Sequence, residues 1–195
     1  MKLIKHLLFM IFLSLFSFNL YSQEITEEWK LKQQIGIWFG AVTPFPGSQL
    51  SDVLNTYLGG GLFYRVNLPF ETLKTEVCSS YSYYDSDKTE GLHAIPMYAA
   101  LSYMLPLELP VSFQAKSGLG AVYLKNNPEN NSNTHPMWFS GLEMSFPAGK
   151  YVNIGLRADY YFVYEKYLKP PEENPNMKII NGHFFNLGLM VNFNI

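Results

Sequence analysis

Along most of the chain, apolar and polar residues alternate one by one, the period of a strand whose two faces meet different surroundings. The last stretch, 183–195, shows it most clearly. Its odd positions are His183, Phe185, Leu187, Leu189, Val191, Phe193 and Ile195, and its even positions are Phe184, Asn186, Gly188, Met190, Asn192 and Asn194. Seven earlier stretches keep the same period: 33–42, 57–68, 71–84, 92–105, 111–124, 137–146 and 151–167. Each carries one apolar parity, such as Ile35, Ile37 and Phe39 in the first or Leu156, Ala158, Tyr160 and Phe162 in the seventh. Eight strands are therefore expected. Pro96 falls inside the fourth, where a residue without an N–H usually marks an edge or a bulge.

The connections are sorted by length. Long ones are expected at 43–56 (with one or two helical turns in 48–55), 85–91, 126–136 and 169–182. Short ones are marked by Pro69, by 106–110 and by 147–150. Eight antiparallel strands need four connections at one end and three at the other, and a transmembrane barrel keeps its long loops outside and its short turns inside. A soluble sandwich has no reason to sort them. The fold class expected is all-β, an eight-stranded antiparallel up-and-down transmembrane β-barrel.

Charge follows the same parity. Arg65, Lys74, Glu76, Lys116, Glu143, Arg157, Asp159 and Glu165 all lie opposite the apolar set, while Glu71 and Lys166 break the rule at strand ends. A lysine or arginine facing lipid at the midplane costs about 2–4 kcal/mol. Eight strands enclose a lumen narrow enough for side chains to fill, and charges at that density survive only when paired and hydrogen-bonded. Four positive and four negative groups are thus expected to form an internal ion-pair network. A pore for ions of one sign would carry an excess of one charge.

The first residues hold Lys2, Lys5 and His6, then an apolar run from Leu7 to Leu20, shorter than the about 20 residues a spanning helix needs. This is the pattern of a signal peptide, residues 1–22, with small Ser22 before the cut and Gln23 as the mature start. A polar lead-in, 23–32, and the barrel, 33–195, would follow. Without Lys2 and Lys5, 12 basic and 16 acidic residues leave a mature charge of −4, which gives nucleic acid no purchase. The single cysteine, Cys78, excludes an internal disulfide framework and falls on the lumen parity. Aromatics reach 16% against 15% charged residues, a barrel-like balance. Tyr83, Tyr123, Trp138 and Tyr164 fall near the long-loop end, and Phe70, Tyr103, Phe113, Phe146 and Phe193 near the short-turn end, as interfacial girdles would.

The run Asn186, Gly188, Val191 and Phe193 resembles the β-signal of outer-membrane barrels: a polar residue, a glycine two later, then two spaced hydrophobics. It departs from that signal in ending the chain on Ile195 instead of an aromatic. The resemblance implies recognition by the barrel-assembly machinery. The strand pattern as a whole is similar to the small OmpA/OmpX-type barrels, and that likeness names an architecture without naming a function.

Candidate chemistry is thin. His93, His135 and His183 are expected at the external rim, with His135 in a loop and Ser79, Ser80 and Ser82 on the strand beside His93. A serine–histidine pair of that kind would suit a lipid-modifying acyl hydrolase or transferase, although no signature spacing accompanies it. Asp85, Asp87 and Glu90 share a loop without the spacing or glycine of a calcium site. The Asn130 sequon means little on a bacterial surface. No cofactor or metal is called for.

The reading is an exported, monomeric barrel of a bacterial outer membrane with an occluded lumen and a structural or surface-interaction role through four external loops. Its partners would be outer-membrane lipid and lipopolysaccharide, the assembly machinery and an external ligand of the loops. The alternatives are a narrow pore or transporter for small solutes and, second, a lipid-modifying enzyme.

Overall fold

The computed structural model describes residues 32–70, 72–86, 91–107, 109–127, 132–164 and 181–195. The expected signal peptide and lead-in up to residue 31, Glu71, the 87–90 part of the acidic loop with Asp87 and Glu90, Asn130, Glu165, Lys166 and most of the expected 169–182 loop lie outside the described residues.

In chain order the elements are β1 (Gln33–Pro44), a single 3-10 turn (Gln49–Asp52), β2 (Leu54–Asn55), β3 (Tyr57–Asn67), β4 (Leu73–Ser86), β5 (Gly91–Met104), β6 (Ser112–Asn127), β7 (Ser132–Pro147), β8 (Val152–Val163) and β9 (Gly182–Asn194). The two residues of β2 pair only with Asp85 and Ser86 at the end of β4. The other eight strands form an antiparallel meander, and β1 pairs with β9 to close it. No helix among the described residues is long and apolar enough to cross a membrane.

Register fixes the tilt. From Asn67 on β3 the direct pairs run Lys74, Ser102, Lys116, Gly141, Asp159, Asn186 and Val42, and return to β3 at Tyr57, ten residues before the start. Eight strands with that stagger make a strongly tilted, narrow barrel whose side chains can fill it. The seam between first and last strands closes on a glycine pair, Gly40 and Gly188, where a Cβ on either residue would strike the facing backbone.

The burial pattern runs inside-out. Inward positions hold both the apolar core and the charges, whereas the outward parity leaves large apolar side chains bare, among them Phe39 (61% exposed), Leu62 (63%), Leu119 (71%) and Leu189 (68%). A water-soluble chain does not leave a continuous apolar wall of that kind; a wall in lipid requires one.

Two expectations change. The asparagine-rich segment 126–136 is not an eleven-residue loop: β6 continues to Asn127 and β7 starts at Ser132, with Val122 opposite His135 and Ala121 opposite Pro136. Asn133, Ser132 and Thr134 are polar on both faces, so the ladder goes on after the apolar alternation has stopped. Pro96 marks neither an edge nor a bulge. Its pairing with Val122 is intact, and on the β4 side the register resumes unshifted from Ser79–Met97 to Ser82–Ala94. The missing N–H opens the ladder locally without displacing it.

Candidate functional site: ion pairs across the lumen

Short turns at one end set the phase of the inward charges. Along β8 the inward side chains run Arg157, Asp159, Tyr161 and Val163 away from the short-turn end, and along β7 they run Glu143, Phe139, Met137 and His135 in the same direction. On these two strands charge therefore occupies the level nearer the short turns and aromatic rings the next, with Val163, Met137 and His135 beyond.

Six of the eight charged residues expected in the lumen meet at that level. Arg65 on β3 donates through Nη1 to Glu143 Oε1 (2.7 Å) and through Nη2 to Glu143 Oε2, and through Nε to Glu76 Oε2 on the neighbouring β4 (2.5 Å). Arg157 on β8 donates through Nη2 to Glu76 Oε1 (2.7 Å) and through Nε to Asp159 Oδ2 (2.6 Å). Lys116 on β6 lies 3.2 Å from Glu143 Oε2 and 3.7 Å from both Glu76 Oε1 and Asp159 Oδ1. Three cations thus face three carboxylates, each side chain 0–1% exposed. In the ring of eight strands, β3 stands opposite β7 and β4 opposite β8. The two arginine–glutamate links therefore cross the lumen on two diameters.

Aromatic residues frame the cluster, a part the charge parity alone does not reveal. The Phe63 ring lies under both guanidinium groups, 4.4 Å from Arg65 Cζ and 4.9 Å from Arg157 Cζ, and fills the space over Gly36. Tyr98 shares its hydroxyl with Arg157 and with Glu76 Oε1 (3.4 Å), and its ring stacks on Phe139 at 4.0 Å. Tyr161 donates to Asp159 Oδ2 (3.3 Å). Bulky aromatics sharing the inward parity with the charges were the available sequence signal.

Lys74 is placed elsewhere. It is buried near the short-turn end, with Nζ 3.4 Å from Gln34 Oε1, and lines a cavity of about 490 Å³ together with Gln34, Asn67, Met104 and Asn194. Its position on β4 directly opposite Asn67 puts it at the mouth. Glu165 lies outside the described residues. Of the residues resembling the assembly signal, Asn186 and Gly188 face the lumen, while Val191 and Phe193 are on the outward parity, Phe193 being 45% exposed.

The serine–histidine pairing expected between β4 and His93 is not formed. His135 is in β7, not in a loop, and is buried in the lumen with neither ring nitrogen hydrogen-bonded. His93 faces outward opposite Tyr83, whereas Ser80 and Ser82 face inward and Ser79 is opposite Met97. The group on His93 Nδ1 is the Tyr81 hydroxyl, at 2.7 Å. Strand parity separates Ser80 and Ser82 from the histidine, while Ser79, on the outward face, is level with Met97, four residues along β5 from His93. Among the described residues no three His, Cys, Asp or Glu side chains are grouped to hold a metal. Cys78 is a buried free thiol.

No protein-family model matches the sequence, and no curated protein matches it. Solved structures do match in fold. A major outer membrane protein from Thermus thermophilus is 12% identical with a TM-score of 0.62, covering 86% of this chain and 100% of that one. Neisserial surface protein A is 13% identical with a TM-score of 0.58, covering 85% and 97%. The N-terminal β-barrel domain of Pseudomonas aeruginosa OprF is 12% identical with a TM-score of 0.55, covering 85% and 100%. The chain has the fold of the small eight-stranded outer-membrane β-barrels.

Proposed function

We propose that the protein is an integral outer-membrane barrel whose lumen is occluded by its ion-pair cluster, and that it serves a structural or surface-interaction role through its long loops. The observation that carries this reading is the pair of crossing links, Arg65–Glu143 and Arg157–Glu76, between diametrically opposed strands. Their balanced charge and burial favour a filled interior over a path for ions of one sign. The apolar wall supports residence in lipid, with the long loops outside and the turns inside. In this reading residues 1–22 direct export, the assembly machinery reads β9, the folded monomer contacts outer-membrane lipid and lipopolysaccharide, and the loops meet an external ligand.

Conductance tests it. Purified protein inserted in planar bilayers should give no reproducible unit current under applied voltage. Regular single-channel steps in the unmodified protein would replace the occluded reading with that of a narrow pore.

A further inference from the structure

The outward wall carries two copies of one constellation. On β5, His93 Nδ1 lies 2.7 Å from the hydroxyl of Tyr81, a diagonal neighbour, while its ring lies 4.9 Å from that of Tyr83 directly across. On β9, His183 meets Tyr160 in the same diagonal way (2.7 Å), with Phe162 directly across at 5.1 Å. Those strand pairs are on opposite sides of the ring. From Ala94, beside His93, the direct pairs run Ser82, Gly59 and Gly40 to Gly188, half-way round. Half the ten-residue stagger is five residues, which brings the level of Ala94 on β9 to His183. Two imidazole–phenol pairs therefore mark one height of an otherwise apolar wall, where amphipathic rings belong at a membrane interface.

The two sides differ in charge. Directly across from His93 on β6 is Lys125, on the same outward parity, with Tyr123 one step below it opposite Ile95. His183 instead has Phe162 across from it, and its carbonyl accepts from the Phe45 N–H (2.8 Å). In the tautomer in which the phenol donates to Nδ1, the proton of a neutral imidazole sits on Nε2, at His93 and at His183 alike. Both imidazoles thus carry the same phenol contact, and what distinguishes the His93 side is the ammonium of Lys125 beside it, above bare Met97 and Leu119. Among the described residues Phe162 is across from His183 where a lysine is across from His93. Asp85 is on the same face, two residues beyond Tyr83, and opposes an anion there.

We propose that the wall around His93 and Lys125 seats the phosphate of an outer-leaflet phosphorylated glycolipid. The imidazole Nε2–H and the ammonium donate to the phosphate, and the acyl chains lie on the apolar wall below. This rests on the reading that the long-loop end is the external face of an outer membrane.

Native mass spectrometry of protein released from phosphatidylcholine nanodiscs doped with bis-phosphorylated lipid A tests it. Folding of each variant is checked first by heat-modifiable migration. Wild type and His183→Phe should retain lipid A, and dephosphorylated lipid A should be retained no better than phosphatidylcholine. His93→Phe with Lys125→Met should lower retention about ten-fold or more, the factor that losing a hydrogen bond to a charged group implies. Unchanged retention in the folded double variant overturns the site while the outer-membrane reading stands, and so does equal retention of phosphatidylglycerol. Failure of wild type to retain lipid A at all overturns the site as well, whereas the outer-membrane reading falls only if thiol labelling of cysteines at Asn130 and Ala148 shows no difference between intact and permeabilised cells.

Discussion

The guanidinium of Arg65, on β3, holds both carboxylate oxygens of Glu143, on β7, from the opposite wall of the barrel. The link is a brace across the full diameter, and Arg157 to Glu76 is a second brace crossing it. Lys116 lies near a carboxylate of each, so neither pair is independent of the other.

Breaking one brace should therefore be costly. Removing a single partner from a buried pair leaves a charge uncompensated and typically costs about 3–5 kcal/mol. Arg157→Ala leaves Asp159 with only Lys116 and Tyr161 and takes a guanidinium from Glu76. Glu143→Ala leaves both Nη groups of Arg65 without their acceptor, with Nε alone still on Glu76. Both variants should unfold at clearly lower urea concentration than wild type in lipid vesicles. An unchanged midpoint would mean that the groups face water.

Replacing a whole brace should be gentler. Arg65→Met combined with Glu143→Leu removes both charges while keeping volume, and such exchanges are often neutral or stabilising. The double variant should recover much of the loss seen in Glu143→Ala. A double-mutant cycle on the urea midpoints gives the coupling; strict additivity would contradict the brace.

Orientation follows from the sorting of the connections. Cysteine introduced at Asn130 or Asn174 should react with an impermeant thiol reagent on intact cells, and cysteine at Ala148 only after permeabilisation. Buried Cys78 should stay silent in both. Reversed labelling would invert the barrel, and equal labelling would argue against a membrane barrel.

The closing strand can be tested at two levels. If Phe193 belongs to an assembly signal, Phe193→Ser should reduce membrane-inserted protein while export and signal cleavage proceed. Gly188→Val acts by a different route, since its side chain would run into the Phe39 and Gly40 backbone across the seam. That variant should insert poorly even with the outward hydrophobics intact. Normal insertion of both would leave the terminal strand without a special role.

Much of this was legible in the residues. Parity alone placed Arg65, Glu76, Lys116, Glu143, Arg157 and Asp159 on one side of their strands, because a charge on the lipid face is expensive and the side-chain period of two is strict. It could not separate Lys74 from them, since mouth and centre share a parity. It also failed at 126–136: where the strands leave lipid, both faces are polar and the alternation vanishes while the ladder continues to Asn127 and resumes at Ser132. The serines were expected beside His93 because their strands are neighbours; the pleat turned Ser80 and Ser82 inward and left Tyr81 as its partner.

The sequence by itself determined which face the strand residues take and that eight strands cross, because those are local properties of a pleated chain between lipid and water. It overstated the connections at 85–91 and 126–136, where the strands run on to Ser86 and Asn127 and resume at Gly91 and Ser132. Which charge meets which is a property of closure. Residues 78 positions apart, Arg65 and Glu143, become neighbours only when eight tilted strands return on themselves ten residues out of step. The narrow diameter that results lets an arginine span from one wall to the other. No period along the chain carries that number, so the braces, the framing aromatics Phe63, Tyr98 and Phe139, and the level shared by His93 and His183 belong to the tertiary structure alone.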